Sequence, residues 1–481
     1  MSSAASSANR QIARAASTVM FAIVLGQITG LIRSILVART FGASPELDAF
    51  FAANRVSETL FLLVAGGALG SAFIPTFTAF LAKGDRAAAW RLASSLARLV
   101  TLTLSLLAVL AALFAPQIVQ YALAPGFATH LTLFSLTIHL LRIQLISAVL
   151  FGLGGLLVGI LNAHQVFLVP ALTPAMYQLG IIFGTLLLAP EMGIYGLAWG
   201  VVLGAAFYLL IQIPALLKLP LERHAIVTHL WTIGLEDPAV RHVLLLMGPR
   251  LLGVAVVQVN FWVNANLASR MGGGSMSALT YGFSLMLMAQ AAIAQSAAIA
   301  AMPTFSAQHA LGQVDELRAS LTATLRGVIF LALPASVGLI LLRQPLVAAL
   351  YQRGEFGERD VQLVAWALLW YAAGLVGHSI LEVLTRASYA QHDTRTPVII
   401  GTIAMSLNLV FSLLFSRLFT QIGWMPHGGL ALANSLSTAL EATALFVVIR
   451  RRLGGLGEAH LARGAGQAGL ATLGMGLVLG M

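Results

Sequence analysis

The sequence predicts an all-α polytopic membrane protein: two six-helix lobes related by a pseudo-two-fold axis along the membrane normal, plus at least one C-terminal helix. Three observations carry that prediction. Hydrophobic residues make up 59% of the 481 and charged residues only 9%, whereas a soluble domain is roughly a quarter charged. Apolar runs long enough to span a bilayer recur along the whole chain, unlike the alternating strands of about ten residues in an outer-membrane barrel. Finally, landmarks of the first half return in the second at an almost fixed distance.

Runs of about 20 apolar residues mark the spans. They fall at roughly 18–40, 50–80, 90–115, 131–161, 166–189 and 193–217, then at 243–267, 276–306, 319–342, 361–386, 397–416 and 428–449. A weaker Gly/Ala-rich stretch follows at 464–481. Residues 1–17 hold Arg10 and Arg14 but no apolar core ahead of a cleavage site, so they read as a cytoplasmic tail. With the N-terminus inside, the inner connections hold fifteen Lys and Arg and the outer ones six, the bias that orients membrane proteins. The net charge of +10 is thereby assigned to cytoplasmic loops, and no nucleic-acid partner is expected. The connection 218–242 contains Trp231 among alternating apolar and polar residues. It reads either as an amphipathic interfacial helix or as a plain linker.

The repeat gives this map its symmetry. AFIPTFTAFLAKG (72–84) resembles AAMPTFSAQHALG (300–312), and Pro75 precedes Pro303 by 228 residues. Pro116 and Pro345 are 229 apart, Gly126 and Gly354 228, and Pro170 and Pro397 227. Six spans per copy put both copies in the same orientation, the arrangement of parallel repeats in transporters. The expected domains are an N-terminal lobe at 18–217, a connection at 218–242, a C-terminal lobe at 243–452 and an extra, incomplete helical region at 453–481.

Several chemistries are absent from the sequence. There is no cysteine, so thiol chemistry and Cys-ligated metals are excluded. The two lysines, Lys83 and Lys218, lie outside any G-K-[ST] loop, and the eleven histidines form no H-E-x-x-H. No nucleophile with its base is recognisable. Neither an enzyme nor a cofactor nor a metal centre is expected.

Polar residues inside the spans are the functional candidates, because burying charge in a bilayer is costly. Arg33 continues the Gly26/Gly30 face of the first span. It is either a cation snorkelling beside a close helix contact or a cavity cation for an anionic substrate. Arg55 and Glu58 are spaced to neutralise each other. Arg142, Arg250 and Glu382 are further candidates, the last with His378 one turn away as a hydrogen-bonded pair or a proton relay. Asn260 and Asn264 share one face of the seventh span, a candidate ion-binding or polar face. Tyr281, Ser284, Met288 and Gln295 share one face of the eighth.

The segment GLIRSILVARTFGASPELDAFF (30–51) resembles the entry motif of the MurJ (MviN) family of lipid II flippases, within the multidrug/oligosaccharidyl-lipid/polysaccharide exporter superfamily. The likeness continues through AANRV (52–56), GGALGSAFIPTF (66–77), APGF (124–127), LNAHQVFLVPALTP (161–174), GPRLLGVAVVQVN (248–260) and TRTPV, covering roughly 18–450. It implies two lobes of six helices and two C-terminal helices forming a lipid groove, of which this chain has room for one. It also implies an undecaprenyl-pyrophosphate-linked glycan as substrate, membrane lipids and cell-wall synthesis proteins as partners, and a multi-pass place in the bacterial inner membrane.

The resemblance aligns Arg33 with a cavity arginine and Asp48 with an acid of the outer gate. Elsewhere this chain departs from the family. Gln27 stands where a first-helix arginine is expected, Ser34 and Gly66 where acids are, Phe61 and Ser284 where further arginines are, and Asn264 where an acid associated with sodium is. Arg55 and Arg142 are the candidate replacement cations. The expected function is flipping lipid II to the outer leaflet by alternating access. The alternatives are export of another lipid-linked glycan or an amphipathic small molecule, and a cell-wall scaffold that transports nothing.

Overall fold

The computed structural model describes residues 2–64, 68–220 and 236–479, and every regular element among them is helical. Contacts divide the chain into two compact units. One holds residues up to Phe41 with Pro45–Gln258; the other holds Gly42–Ser44 with Val259–Met481. Trp231 and Gly66 fall outside the described residues, as do the side chains of Arg10, Arg14 and Arg250.

The first unit runs α1 (Ser2–Phe41), α2 (Pro45–Val64), α3 (Ala68–Ala82), α4 (Arg86–Leu113), α5 (Leu131–Ala163), α6 (Leu168–Met192) and α7 (Ile194–Leu210). Then come α8 (Pro238–Ser269), α9 (Ser275–Ala310), α10 (Val314–Leu341), α11 (Arg343–Tyr351), α12 (Glu358–Ala373), α13 (Leu375–Ala390), α14 (Arg395–Gln421), α15 (His427–Leu453) and α16 (Glu458–Leu479). Nine described helices are long and apolar enough to cross a membrane, and two bent pairs, one of them α12 with α13, bring the number to eleven. The twelfth expected span, 50–80, is the pair α2 and α3 around the undescribed residues 65–67.

The repeat is visible in the helix boundaries. Both α4 and α10 are 28 residues long, and their starts lie 228 residues apart. The starts of α5 and α12 lie 227 apart, as do the ends of α5 and α13. Both of those ends stop in the same way. Gln165 and His392 each take φ 60°, and the following amides, Val166 and Asp393, reach back to the carbonyls of Leu161 and Ser388 at 2.9 and 3.0 Å. This is the left-handed cap that glycine usually fills, here made twice by polar side chains.

Where the copies differ, glycine and serine explain it. α6 and α7 meet through Gly180, Gly184, Gly200 and Gly204, with the backbones nearly touching. A methyl on Gly180 would lie 2.2 Å from the Gly204 Cα, and one on Gly184 2.4 Å from the Gly200 Cα. Small residues at four-residue spacing permit such close approach in a bilayer. In the other copy, α5 is replaced by α12 and α13, which bend by 48° at Gly374. The bend frees carbonyls from the helical ladder. Ser435 donates to Trp370 O at 2.7 Å and Ser336 to Ala372 O at 2.6 Å, so serine hydroxyls satisfy what the kink exposes. Each unit has its own apolar core, around Phe73, Phe77 and Trp90 in the first and around Phe305, Leu321 and Leu384 in the second.

Candidate functional site

In the first lobe α1 packs on α6, Gly26 against Pro174 and Gly30 against Gln178, so the GxxxG face is a helix contact. That contact places Arg33 within electrostatic reach of Tyr177, which also lies near Glu58. Arg33 donates through a terminal guanidinium nitrogen to Ser34 Oγ at 3.2 Å, and the Ser34 hydroxyl donates in turn to Gly30 O at 3.0 Å. On α2, Arg55 pairs with Glu58 at 3.0 Å, both half-buried. The structure thus brings Arg33, Arg55, Glu58 and Tyr177 into one polar patch. A guanidinium held by a hydroxyl rather than by a carboxylate keeps its full charge for an anion.

The other sequence candidates stand apart from this patch. Gln27 is exposed on α1. Asp48 is 2% exposed in the first turn of α2, where the helix dipole favours an acid. Arg142 is exposed on α5 and donates from Nε to Ala112 O at 3.1 Å, a cation at the C-terminal end of α4. Phe61, at the position of an expected arginine, meets Phe151 in a tilted ring contact at 5.2 Å. Phe151 in turn meets Tyr177 at 4.9 Å and Tyr208 at 5.3 Å. Sequence reading missed Tyr177, although its place one residue before the Gln178–Gly30 contact is the signal that would have found it.

In the second lobe Asn260 and Asn264 lie at a closed amide network. Asn260 donates to Met405 O and to Asn408 Oδ1, both at 3.1 Å, and Asn264 donates to Asn260 Oδ1 at 2.9 Å. Ser412 donates toward Asn264 Oδ1 at 3.1 Å and Asn408 Oδ1 at 3.2 Å. Every amide group named here has a neutral partner, and no carboxylate enters the network. Ser284 returns its hydroxyl to Thr280 O at 2.7 Å, so its proton is spent inside α9.

His378 and Glu382 do not pair. His378 Nε2 meets Asn434 Oδ1 at 3.1 Å, while Glu382 holds Arg386 at 2.7 Å. Both line a cleft of about 320 Å³ with Gln290, Leu381, Thr385, Arg386 and Tyr389. Gln290 directly precedes a wide π-type turn of α9 at Ala291–Gln295. Among the described residues no three acidic or imidazole side chains converge as a metal site would require.

Comparison with known proteins agrees with this architecture. A family model described as "Lipid II flippase MurJ" matches residues 37–481. A Burkholderia cenocepacia protein named lipid II flippase MurJ is 32% identical over 441 residues, covering 91% of this chain and 84% of that one. A Vibrio cholerae protein named probable lipid II flippase MurJ is 32% identical over 435 residues, 88% of this chain and 80% of its own. A solved structure of a lipid II flippase MurJ in an inward closed conformation superposes with a TM-score of 0.80 at 25% identity, over 96% of this chain and 92% of that one. An inward-facing multidrug transporter of the MATE family shares the fold, with a TM-score of 0.72 at 17% identity over 90% of this chain and 96% of its own. By the extent of the family match and the identity to its members, the chain belongs to the MurJ lipid II flippase family.

Proposed function

We propose that this chain moves lipid II from the cytoplasmic to the outer leaflet of the bacterial inner membrane by alternating access, with its N-terminus in the cytoplasm. The observation that carries this reading is the 32% identity to a lipid II flippase across 91% of the chain. The first-lobe patch supports it physically. Arg33 contacts the pyrophosphate, with Tyr177 beside it to donate a hydrogen bond, and Arg55 is freed toward the substrate when Glu58 releases it. Charge-assisted bonds from arginine suit a phosphate in a low-dielectric site. Asp48, buried at the start of α2, takes part in the outer gate.

Complementation of a strain depleted of its own lipid II flippase tests the reading. Wild type should restore growth and Arg33→Ala should not, at equal membrane abundance. A well-expressed wild type that fails while a Burkholderia relative succeeds in the same host would count against it. For the gate, Asp48→Ala should change the labelling of outside-facing cysteine probes; unchanged labelling rejects that role.

A second reading has its own support. Phe61 in an aromatic ladder and Ser284 bonded within α9 leave the cavity with fewer cations than the family pattern. A less anionic lipid-linked glycan or an amphipathic small molecule suits such walls. Rescue by wild type that survives Arg33→Ala would favour it.

A further inference from the structure

Glu441 lies near the midpoint of α15, inside a span, and it takes part in none of the functions assigned above. Among the described residues it forms no ion pair and no hydrogen bond. Its carboxyl rests on α14 at Gly401, where a methyl group would come within 3.0 Å of Oε1. One turn earlier on the same face, Ser437 has a buried hydroxyl that also lacks a partner. An acid inside a membrane helix is costly, and where one persists it usually pairs or marks an ion path.

The surrounding helices supply no counter-charge. On α13, His378 is held by Asn434 and Glu382 by Arg386. On α12, Glu358, Arg359 and Asp360 sit in the first turn, with Asp360 accepting the Ala43 and Gly357 amides. On α14, Arg395 opens the helix and Arg417 lies toward its far end. On α10, Asp315 and Glu316 are in the first turn, Arg318 is bound to Asp315 and to Leu453 O, and Arg326 lies against Gly464. The packed part of α9 brings only Tyr281, in a ring contact with Tyr351. On α15 itself, His427 is taken by Leu363 O and Arg452 by Asp393.

An uncompensated carboxylate in this position calls for a bound cation. One carboxyl and one hydroxyl are too few oxygens to cage an alkali ion stripped of water, whereas a proton needs only one. We propose that Glu441 is the proton-carrying carboxyl of the second lobe, taking up a proton and releasing it as the transport cycle turns. The step is simple: an O–H bond forms on the carboxylate as a hydronium ion gives up a proton and is left as water, and on the return that bond breaks as water takes the proton back. This rests on the transporter reading, and it gives the lobe an ion site that its neutral amide network does not provide.

The test uses the full chain. In lipid nanodiscs, infrared spectroscopy during a pH titration should show a protonated-carboxyl band that titrates in wild type and is lost in Glu441→Gln. An unchanged band in that variant overturns the proposal, whatever the substrate is. In proteoliposomes with fluorescent lipid II, Glu441→Gln should lose the response to an imposed pH gradient that wild type shows. A full response in the variant overturns the proposal as well. Should Glu441→Gln fail to fold, Gly401→Ala replaces it: crowding Oε1 should move the midpoint of the band, and an unmoved midpoint is the overturning result. If wild type moves no lipid II, the flippase reading fails while the infrared arm still decides on Glu441.

Discussion

In the connection that follows α7 and at the end of α15, a backbone carbonyl is bound by a side chain from an equivalent position of the repeat. In the first lobe Trp90 Nε1 donates to Pro220 O at 3.1 Å; in the second Arg318 Nε donates to Leu453 O at 3.0 Å. Trp90 and Arg318 are 228 residues apart, like the helices that carry them. Trp90 is embedded in rings, with Phe77 at 6.0 Å and His164 at 6.2 Å. Arg318 is embedded in charge, with Asp315 at 3.0 Å and, at the same end of α15, an ion pair between Arg452 and Asp393. The backbone plan thus specifies where a donor must stand and leaves its chemistry free. An indole and a guanidinium are interchangeable as N–H donors, but not as neighbours.

The comparison is broken most severely at the seam between α6 and α7. Counting from the helix starts, Gly180 and Gly184 correspond to Leu407 and Phe411 of α14, so this glycine seam belongs to the first lobe, whereas α15 meets the α14 backbone through Gly429. Gly184→Leu would force the helices apart with no side chain free to yield. Overpacking of this kind costs about 3 kcal/mol, and the expected outcome is loss of monodisperse protein in detergent. Gly272→Ala, with open space around it, is the control and should leave the elution profile and melting temperature unchanged.

How much of this was legible beforehand follows from what each interaction needs. Span positions and the repeat were readable, because apolar length and the spacing of Pro75, Pro116, Gly126 and Pro170 are properties of one strand of sequence. The first-lobe patch was half readable. Arg33 and Arg55 announce themselves as charges in apolar runs, whereas Tyr177 is an ordinary residue of span five until α1 is laid on α6. The kink at Gly374 was hidden for a similar reason. It depends on Ser435 and Ser336, which are far along the chain and carry no local signal. Arg142 shows the opposite case, since a charge in an apolar run also serves as a helix cap, here on the Ala112 carbonyl.

The kink itself offers the next test. Removing either serine leaves a buried carbonyl without its donor, so Ser435→Ala and Ser336→Ala should each destabilise the protein by about 1–2 kcal/mol in thermal unfolding. In the unbent copy, Ser147 stands at the position of Gly374 and bonds within its own helix, to Gln144 O at 2.6 Å. Ser147→Ala should therefore be close to neutral. Equal losses in both lobes would mean that the serines serve packing and not the bend.

The amide network predicts a smaller effect of a different kind. Asn408→Leu removes an acceptor shared by Asn260 and Ser412, and hydrogen bonds between membrane helices average roughly 0.6 kcal/mol each. The loss should be about 1 kcal/mol, read from the melting temperature in detergent. Asn264→Asp sharpens the point. If the wild-type network is neutral because it binds no sodium, wild type should melt at the same temperature in sodium and in choline chloride, and the new acid should make the two differ.

The smallest expected effect concerns the charged end of the second lobe. Asp393 lies in the turn between α13 and α14, outside the spans. Burial acts to raise its pKa, but bonds from the Thr396 hydroxyl and amide and from Arg452 outweigh it and hold the carboxyl at about 2. In the unfolded chain the same group titrates near ~3.9. A depressed folded-state value means that the native protein keeps its carboxylate while the unfolded chain binds a proton. The stabilisation is therefore complete above that unfolded value and is lost as pH falls from there through about 2. Arg452→Gln removes the pairing, so its melting temperature should lie slightly below that of wild type at pH 7 and converge on it in acid. The first lobe has Val166 at the position of Asp393, and Val166→Ala should show no such convergence. A constant gap between wild type and Arg452→Gln at every pH would show that the arginine contributes through its contact with the Thr396 hydroxyl and not through Asp393.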